Sequence, residues 1–167
     1  MDKQERDELI EKYLRAFADF EEALLTIPRE VWKFKPEPKE WSIHEVIVHL
    51  ADSETNSFLR ARRLIADPGE TLMGYDQDHW ANNLNYHDQD WKRALEITRL
   101  VRESTYALIR SLPEEVWANT ATHPEYDDPY TFEQWLEVYA NHPYAHREQV
   151  LKNYEIWKKA NPDEEQH

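Results

Sequence analysis

The 167-residue chain contains no cysteine. Disulfides, zinc–thiolate sites, iron–sulfur clusters and a cysteine nucleophile of its own are therefore excluded. Glycine is nearly absent as well, with two residues against nine prolines. With abundant Glu, Leu and Ala, that balance argues for long helices joined by proline-marked turns. Basic residues are also short, 20 Lys and Arg against 34 Asp and Glu, for a formal net charge of −14. Such a charge speaks against nucleic acid, whose phosphates need clustered cations, and against an anionic membrane surface. No apolar run approaches the roughly 20 residues that span a bilayer. The opening MDKQERDELIEKYLRAF is charged from its second residue and lacks a signal-peptide core. These absences lead to the expectation of a cytoplasmic protein with neither membrane nor nucleic-acid partners.

What the chain does have is helical periodicity. Leu9, Ile10, Tyr13, Leu14, Phe17, Phe20, Leu24 and Ile27 recur at three- and four-residue steps, predicting a helix over 3–26. A second helix begins after Ser42, with Glu45 as its capping-box partner, and runs to Ala66 before DPG. A third spans about 89–111, opened by Asp88. The fourth opens at Thr131, with Gln134 completing another capping box, and continues through Pro143 towards Lys159. The link 67–88 is long for a compact bundle, which fits a pocket cover or an interface, and predicts a short helix over 77–84. One domain over 1–159 and a polar tail over 160–167 are expected.

An internal repeat organises these elements. TIPREVW (26–32) and SLPEEVW (111–117) share Pro, Glu, Val and Trp at a constant offset of 85 residues. Each is followed by a loop and a capped helix, Trp41-Ser42-Ile43 in one half and Tyr130-Thr131-Phe132 in the other. The expected fold is all-α, a four-helix bundle built from two similar helix–loop–helix halves. A solenoid would need at least three repeats.

The stretch YANHPYAHREQ puts His142 and His146 one turn apart on one helical face. Two imidazoles at that spacing converge on one ion, but the pair alone reads equally as surface histidines. The repeat supplies a third. At 100° per residue, Val46, His49, Ser53, Asn56 and Arg60 share one face of the second helix, with Glu45 and Asp52 at its margins. His44 falls far round and is expected to be exposed. Trp135, Val138, Tyr139, His142, His146 and Gln149 share a face of the fourth helix. His49 is thus the third candidate ligand. Three imidazoles around a divalent ion leave open positions, as in a reactive rather than a closed structural site. Pro143 removes the hydrogen bond to the Tyr139 carbonyl. It either aims His142 and frees that carbonyl, or only bends the helix.

WSIHEVIVHLADSE, LPEEVW and ATHPEYDDPYTFEQWLEVYANHPYAHREQV together resemble the DinB-like (YfiT-type) superfamily of metal-binding bundles, from about Leu9 to Lys159. The resemblance implies an up-down-down-up bundle and places the family's metal histidines at His49, His142 and His146. It further implies zinc, nickel or iron as cofactor and a homodimer. The activity it implies is transfer of a low-molecular-weight thiol to a small-molecule electrophile, or metal-dependent hydrolysis. Pro143 departs from the usual polar residue at its position.

Around the three histidines, Asp52 reads as a base, a histidine-orienting group or a solvated helix position, and Glu45 first as a capping residue. Asn56 and Arg60 would hold a substrate carboxylate, with Trp135, Tyr139 and Gln149 completing the substrate contacts. His79, Trp80 and His87 either close over the ion or stand exposed, and His123 reads as a loop residue. A non-catalytic binding module and a purely structural bundle remain as alternatives.

Overall fold

The computed structural model describes residues 1–162. Five α-helices account for most of them: α1 (Lys3–Leu25), α2 (Ile43–Ala66), α3 (Gln77–Asn83), α4 (Trp91–Ile109) and α5 (Phe132–Ala160). The short α3 lies within the 67–88 link, and the other four helices form the bundle. A two-stranded antiparallel ribbon, β1 (Thr120–Ala121) with β2 (Tyr130–Thr131), precedes α5. None of the described helices is long and apolar enough to cross a membrane.

The helix starts follow local chemistry. Ser42 accepts from the Glu45 backbone N–H while the Glu45 carboxylate takes the Ser42 N–H; Thr131 and Gln134 do the same for α5, and Asp2 and Glu5 for α1. For α4 the cap is Asp90, which accepts from Lys92 and Arg93, and not Asp88 as expected. Asp88 instead sits in a 3-10 turn over Tyr86–Asp88 that ends the link. The repeated PREVW and PEEVW segments also fold alike. Pro28 and Pro113 hold the same extended conformation, and each opens a 3-10 turn leading to a buried tryptophan.

Cross-helix contacts fix the direction of every helix. Arg6 meets Glu133, Lys12 meets Asn141 and Asp19 meets Tyr144, so α1 and α5 are parallel. Glu54 meets Arg102 and Arg62 meets Ser104, so α2 and α4 are parallel too. Glu21–Arg99 and Glu11–Tyr106 set α4 antiparallel to α1. Asn153 donates to the Trp41 carbonyl and Trp135 to that of Ser57, which sets α2 antiparallel to α5. The order is up-down-down-up, with α1 beside α5 and α4, and α2 beside α4 and α5.

Two apolar cores result. One gathers Phe17, Phe20, Leu24, Trp32, Ile43 and Val150 around the start of α2. The other gathers Ile10, Tyr13, Leu64, Trp117, Phe132 and Trp135 around the start of α5. Polar side chains lie between them: Glu54 and Arg102 are buried and paired, and His49 lies one turn from them on α2.

Pro143 sits inside α5, which continues past it. The carbonyl that its missing N–H abandons, that of Tyr139, accepts 3.2 Å from Arg102 Nη2. The break thus costs no unpaired backbone group.

Candidate metal centre

α2 and α5 cross antiparallel with His49 opposite His142 and His146. Their Nε2 atoms converge: His142 Nε2 lies 3.0 Å from His146 Nε2 and 3.4 Å from His49 Nε2, and one ligand nitrogen from each ring falls within 4.8 Å of the others. Two nitrogens bound to one ion at about 2.0–2.1 Å, with angles of about 90–110°, stand about 2.9–3.4 Å apart. His142 therefore stands from each of the other two as one ligand stands from another.

For one of the three rings, hydrogen bonding selects the ligand nitrogen. His146 Nδ1–H donates to Gln149 Oε1 at 2.8 Å, which leaves the Nε2 lone pair free. The Nδ1 atoms of His49 and His142 are buried without a partner. Burial pushes all three imidazoles below their ordinary pKa. For His49 burial acts first and His146 second, bringing it to about 3. His142 is held well below the usual range by burial, then by His146, His49 and Arg102. His146 is lowered by burial, opposed by its hydrogen bond to Gln149. Three neutral rings with convergent lone pairs are a donor set that fits zinc, nickel or iron(II) alike.

Two clefts reach the trio. A cleft of about 460 Å³ is floored by His49 and His142 and walled by Ser53, Arg60, Tyr75, His123 and Tyr139. A second, of about 320 Å³, reaches His146 and Gln149 past Trp41, Lys39 and Lys152. Gln77 and Asp78, at the start of α3, line both. The Trp41 ring packs 4.6 Å from His49. The link therefore covers the site, but with Tyr75–Asp78 rather than His79, Trp80 and His87. His79 is exposed. Trp80 packs on Tyr75 at 4.5 Å. His87 lies by the α2 cap, its Nδ1 4.0 Å from the Glu45 carboxylate.

The remaining residues singled out from the sequence divide by position. Asp52 accepts from the Tyr86 hydroxyl at 2.5 Å and makes no hydrogen bond to any of the three histidines; the group that orients a histidine is Gln149. Burial raises the Asp52 pKa, with Tyr86 opposing. Asn56 donates to the Asp52 carbonyl. Arg60 lines the larger cleft, but its Nε and Nη2 both donate to the Met73 carbonyl and its Nη1 to the Tyr139 hydroxyl. Trp135 is sealed in the core, donating to the Ser57 carbonyl. Glu45 keeps its capping role and also pairs with Lys35 at 3.0 Å.

His44 corrects the sequence expectation, and His123, a loop residue as expected, proves to be buried. His44 is buried, not exposed, because the end of the link folds back over α2 and the Gln89 carbonyl meets its Nε2 at 2.8 Å. His123 is 2% exposed and stands in the wall of the larger cleft. The signal for it lay in glycine. Gly74 is one of the chain's two, and a Cβ there would lie 2.6 Å from the Pro124 ring, so only glycine lets the link close on the His123 loop.

A sequence model of the DinB superfamily matches residues 12–150. Over 106 residues the chain is 26% identical to YfiT of Bacillus subtilis (strain 168), covering 64% of this chain and 60% of YfiT. It is 28% identical over 85 residues to a protein of Oceanobacillus iheyensis, covering 51% and 49%. A Bacillus cereus (strain 03BB102) protein is 25% identical over 126 residues, covering 73% and 66%. All three are provisionally named metal-dependent hydrolases. The chain thus spans about half to two thirds of the length of these curated relatives. Among solved structures, that of Bacillus subtilis YfiT, described as a probable metal-dependent hydrolase with an unusual four-helix bundle topology, superposes with a TM-score of 0.84. The match is 21% identical in sequence over 92% of this chain and 87% of that one.

Proposed function

The chain belongs to the DinB superfamily, and from that premise we propose that it is a metal-dependent enzyme acting on a small molecule at His49, His142 and His146. The observation that carries this reading is the convergence of three neutral Nε2 atoms at the floor of two clefts. A divalent ion there would keep its full positive charge and supply Lewis acidity, either to a water or to a thiol. The residues around it prepare for that charge. Gln149 holds the His146 tautomer, Trp41 shields one side of His49, and burial keeps the imidazoles deprotonated.

Transfer of a low-molecular-weight thiol stands ahead of hydrolysis in this reading. Two clefts, one lined by His49 and His142 and the other by His146, suit two reactants that meet at one centre. The chain lacks cysteine, so the sulfur must arrive as a cosubstrate. Hydrolysis is the second reading, favoured by the names of the relatives.

The test begins with elemental analysis of tag-free protein beside His146→Ala. About one equivalent of a transition metal in the parent, lost in the variant while the helical signal persists, is the expected result. Absence of metal after reconstitution with zinc, nickel and iron would sink the reading. With loaded protein, consumption of small electrophiles only when a thiol is added selects transfer. Consumption without thiol selects hydrolysis, and none across a broad panel leaves a binding module.

A further inference from the structure

Among the described residues, His123 is the one buried histidine near the trio that neither joins it nor belongs to the α2 cap. It is held from several sides. The Leu72 N–H donates to the Thr122 carbonyl at 2.8 Å, and the Thr122 N–H donates to the Glu70 carbonyl at 3.2 Å. Arg60 fastens the same link through the Met73 carbonyl, and Gly74 lets Pro124 close against it. The ring packs 5.0 Å from Tyr130 and 5.1 Å from Tyr126. So tightly fixed a polar ring is placed rather than incidental.

Its proton is fixed as well. The backbone N–H of Glu125 donates to His123 Nδ1 at 3.2 Å, so Nδ1 carries the lone pair and the neutral ring carries its hydrogen on Nε2. Burial, then the nearby Arg60 charge, keeps the ring below its ordinary pKa and so neutral at pH 7. Nε2 makes no hydrogen bond among the described residues and is not a sealed atom, so it keeps access to solvent from the cleft wall. His123 therefore offers a single oriented donor to whatever occupies that cleft.

The rest of the wall limits the occupant. Asp76, Asp78 and Glu125 line the same cleft, and the donors of Arg60 are largely engaged with Met73 and Tyr139. Tyr75, Tyr126, Tyr130 and Tyr139 add aromatic surface, which suits ammonium groups and uncharged groups over anions.

We propose that His123 is the substrate-orienting donor of this cleft, its Nε2–H hydrogen-bonding a carbonyl-type oxygen of a compound that is uncharged or bears an amine. The proposal rests on the three-histidine reading only for where the reacting atoms lie.

Two probes of equal reach test it: N-acetylputrescine, an acetamide with an ammonium tail, and N-acetyl-γ-aminobutyrate, the same acetamide with a carboxylate tail. Each is titrated into metal-free and zinc-loaded protein while histidine side chains are followed by 1H–15N NMR. In the metal-free protein His123 is expected as the neutral Nε2–H tautomer. The ammonium probe should shift that resonance saturably and bind roughly tenfold more tightly than the carboxylate probe. His123→Phe, which keeps the packing on Tyr126 and Tyr130, should weaken the ammonium probe roughly tenfold. His123→Gln, with an amide N–H in its place, should recover part of that loss. An Nδ1–H tautomer, unchanged affinity in His123→Phe, preference for the carboxylate probe, or no saturable shift with either probe would overturn the proposal. Since the metal-free arm needs no ion, failure of metal binding would defeat the three-histidine reading alone.

Discussion

Two polar clusters share the middle of this bundle, one sealed and one half-buried, and they handle their polarity in opposite ways. Glu54 and Arg102 cancel charge with charge, and Arg102 adds bonds to the Tyr13 and Tyr139 carbonyls. His49, His142 and His146 cancel nothing and instead stay neutral, with their lone pairs turned on one another. The first arrangement is inward and shut off from solvent, both side chains being 1% exposed or less. The second lies at the floor of two clefts and has binding capacity to spare. A buried pair spends its electrostatics on the fold, whereas a set of unpaired neutral donors saves them for a visitor.

The contrast can be broken most violently at the closed cluster. Arg102→Leu strands the Glu54 carboxylate and takes the donor from the Tyr139 carbonyl, so urea unfolding should show a loss of about 3–5 kcal/mol. His142→Ala should behave differently. It should leave a protein that still unfolds cooperatively, but without the rise in stability that the proposed site predicts for the parent on adding zinc. That rise is about 2.7 kcal/mol when free zinc is 100 times its Kd, and a thermal shift assay reads it directly.

Acid sharpens the difference further. The trio's pKa values lie below the ordinary imidazole value in the folded state, so below about pH 6.5 the unfolded chain binds more protons than the folded one. Stability of the metal-free protein should therefore fall as pH drops below 6.5, by up to about 1.4 kcal/mol per pH unit for each histidine. For His49 the fall continues towards about pH 3. The triple variant with all three histidines replaced should lose that slope, and denaturant titrations at pH 7, 6 and 5 would reveal whether it does. The smallest effect concerns orientation. Gln149→Leu should leave folding intact and weaken zinc binding by about 10–100-fold, the usual cost of removing a hydrogen bond behind a ligand, as a competition titration would show.

How much of this could be read from the chain depended on the range of the interaction. Ser42 with Glu45 and Thr131 with Gln134 are three residues apart, and their caps form as expected. His49, His142 and His146 follow from helical periodicity together with the repeat, and the structure brings them together. Pro143 announced a free carbonyl, but nothing near it in sequence pointed to Arg102, 37 positions away, as the donor. The burial of His44, expected to be exposed, and of His123, rightly expected in a loop, went unseen for one reason. A helical wheel knows nothing of the link that folds back over α2, nor of the loop that Gly74 allows to dock. The α4 boundary shows the local limit: Asp88 and Asp90 are both acceptable caps, and the 3-10 turn after Asn85, in the left-handed region at φ 51°, decides for Asp90.

The parallel pairing of α1 with α5 has a consequence for synthesis. Of the four bundle helices, α1 is made before the others and finds its principal neighbour in α5, made after them, so Ile10 and Tyr13 cannot be sealed until α5 has been made. The same delay governs the histidines, since His49 waits for partners 93 and 97 positions later. A nascent chain that stops before α5 would expose one face of α1 and hold a single histidine of the trio, a state prone to aggregation. Folding and site assembly are thus completed by the same late segment, so the three-histidine set arises only in a chain already able to bury it.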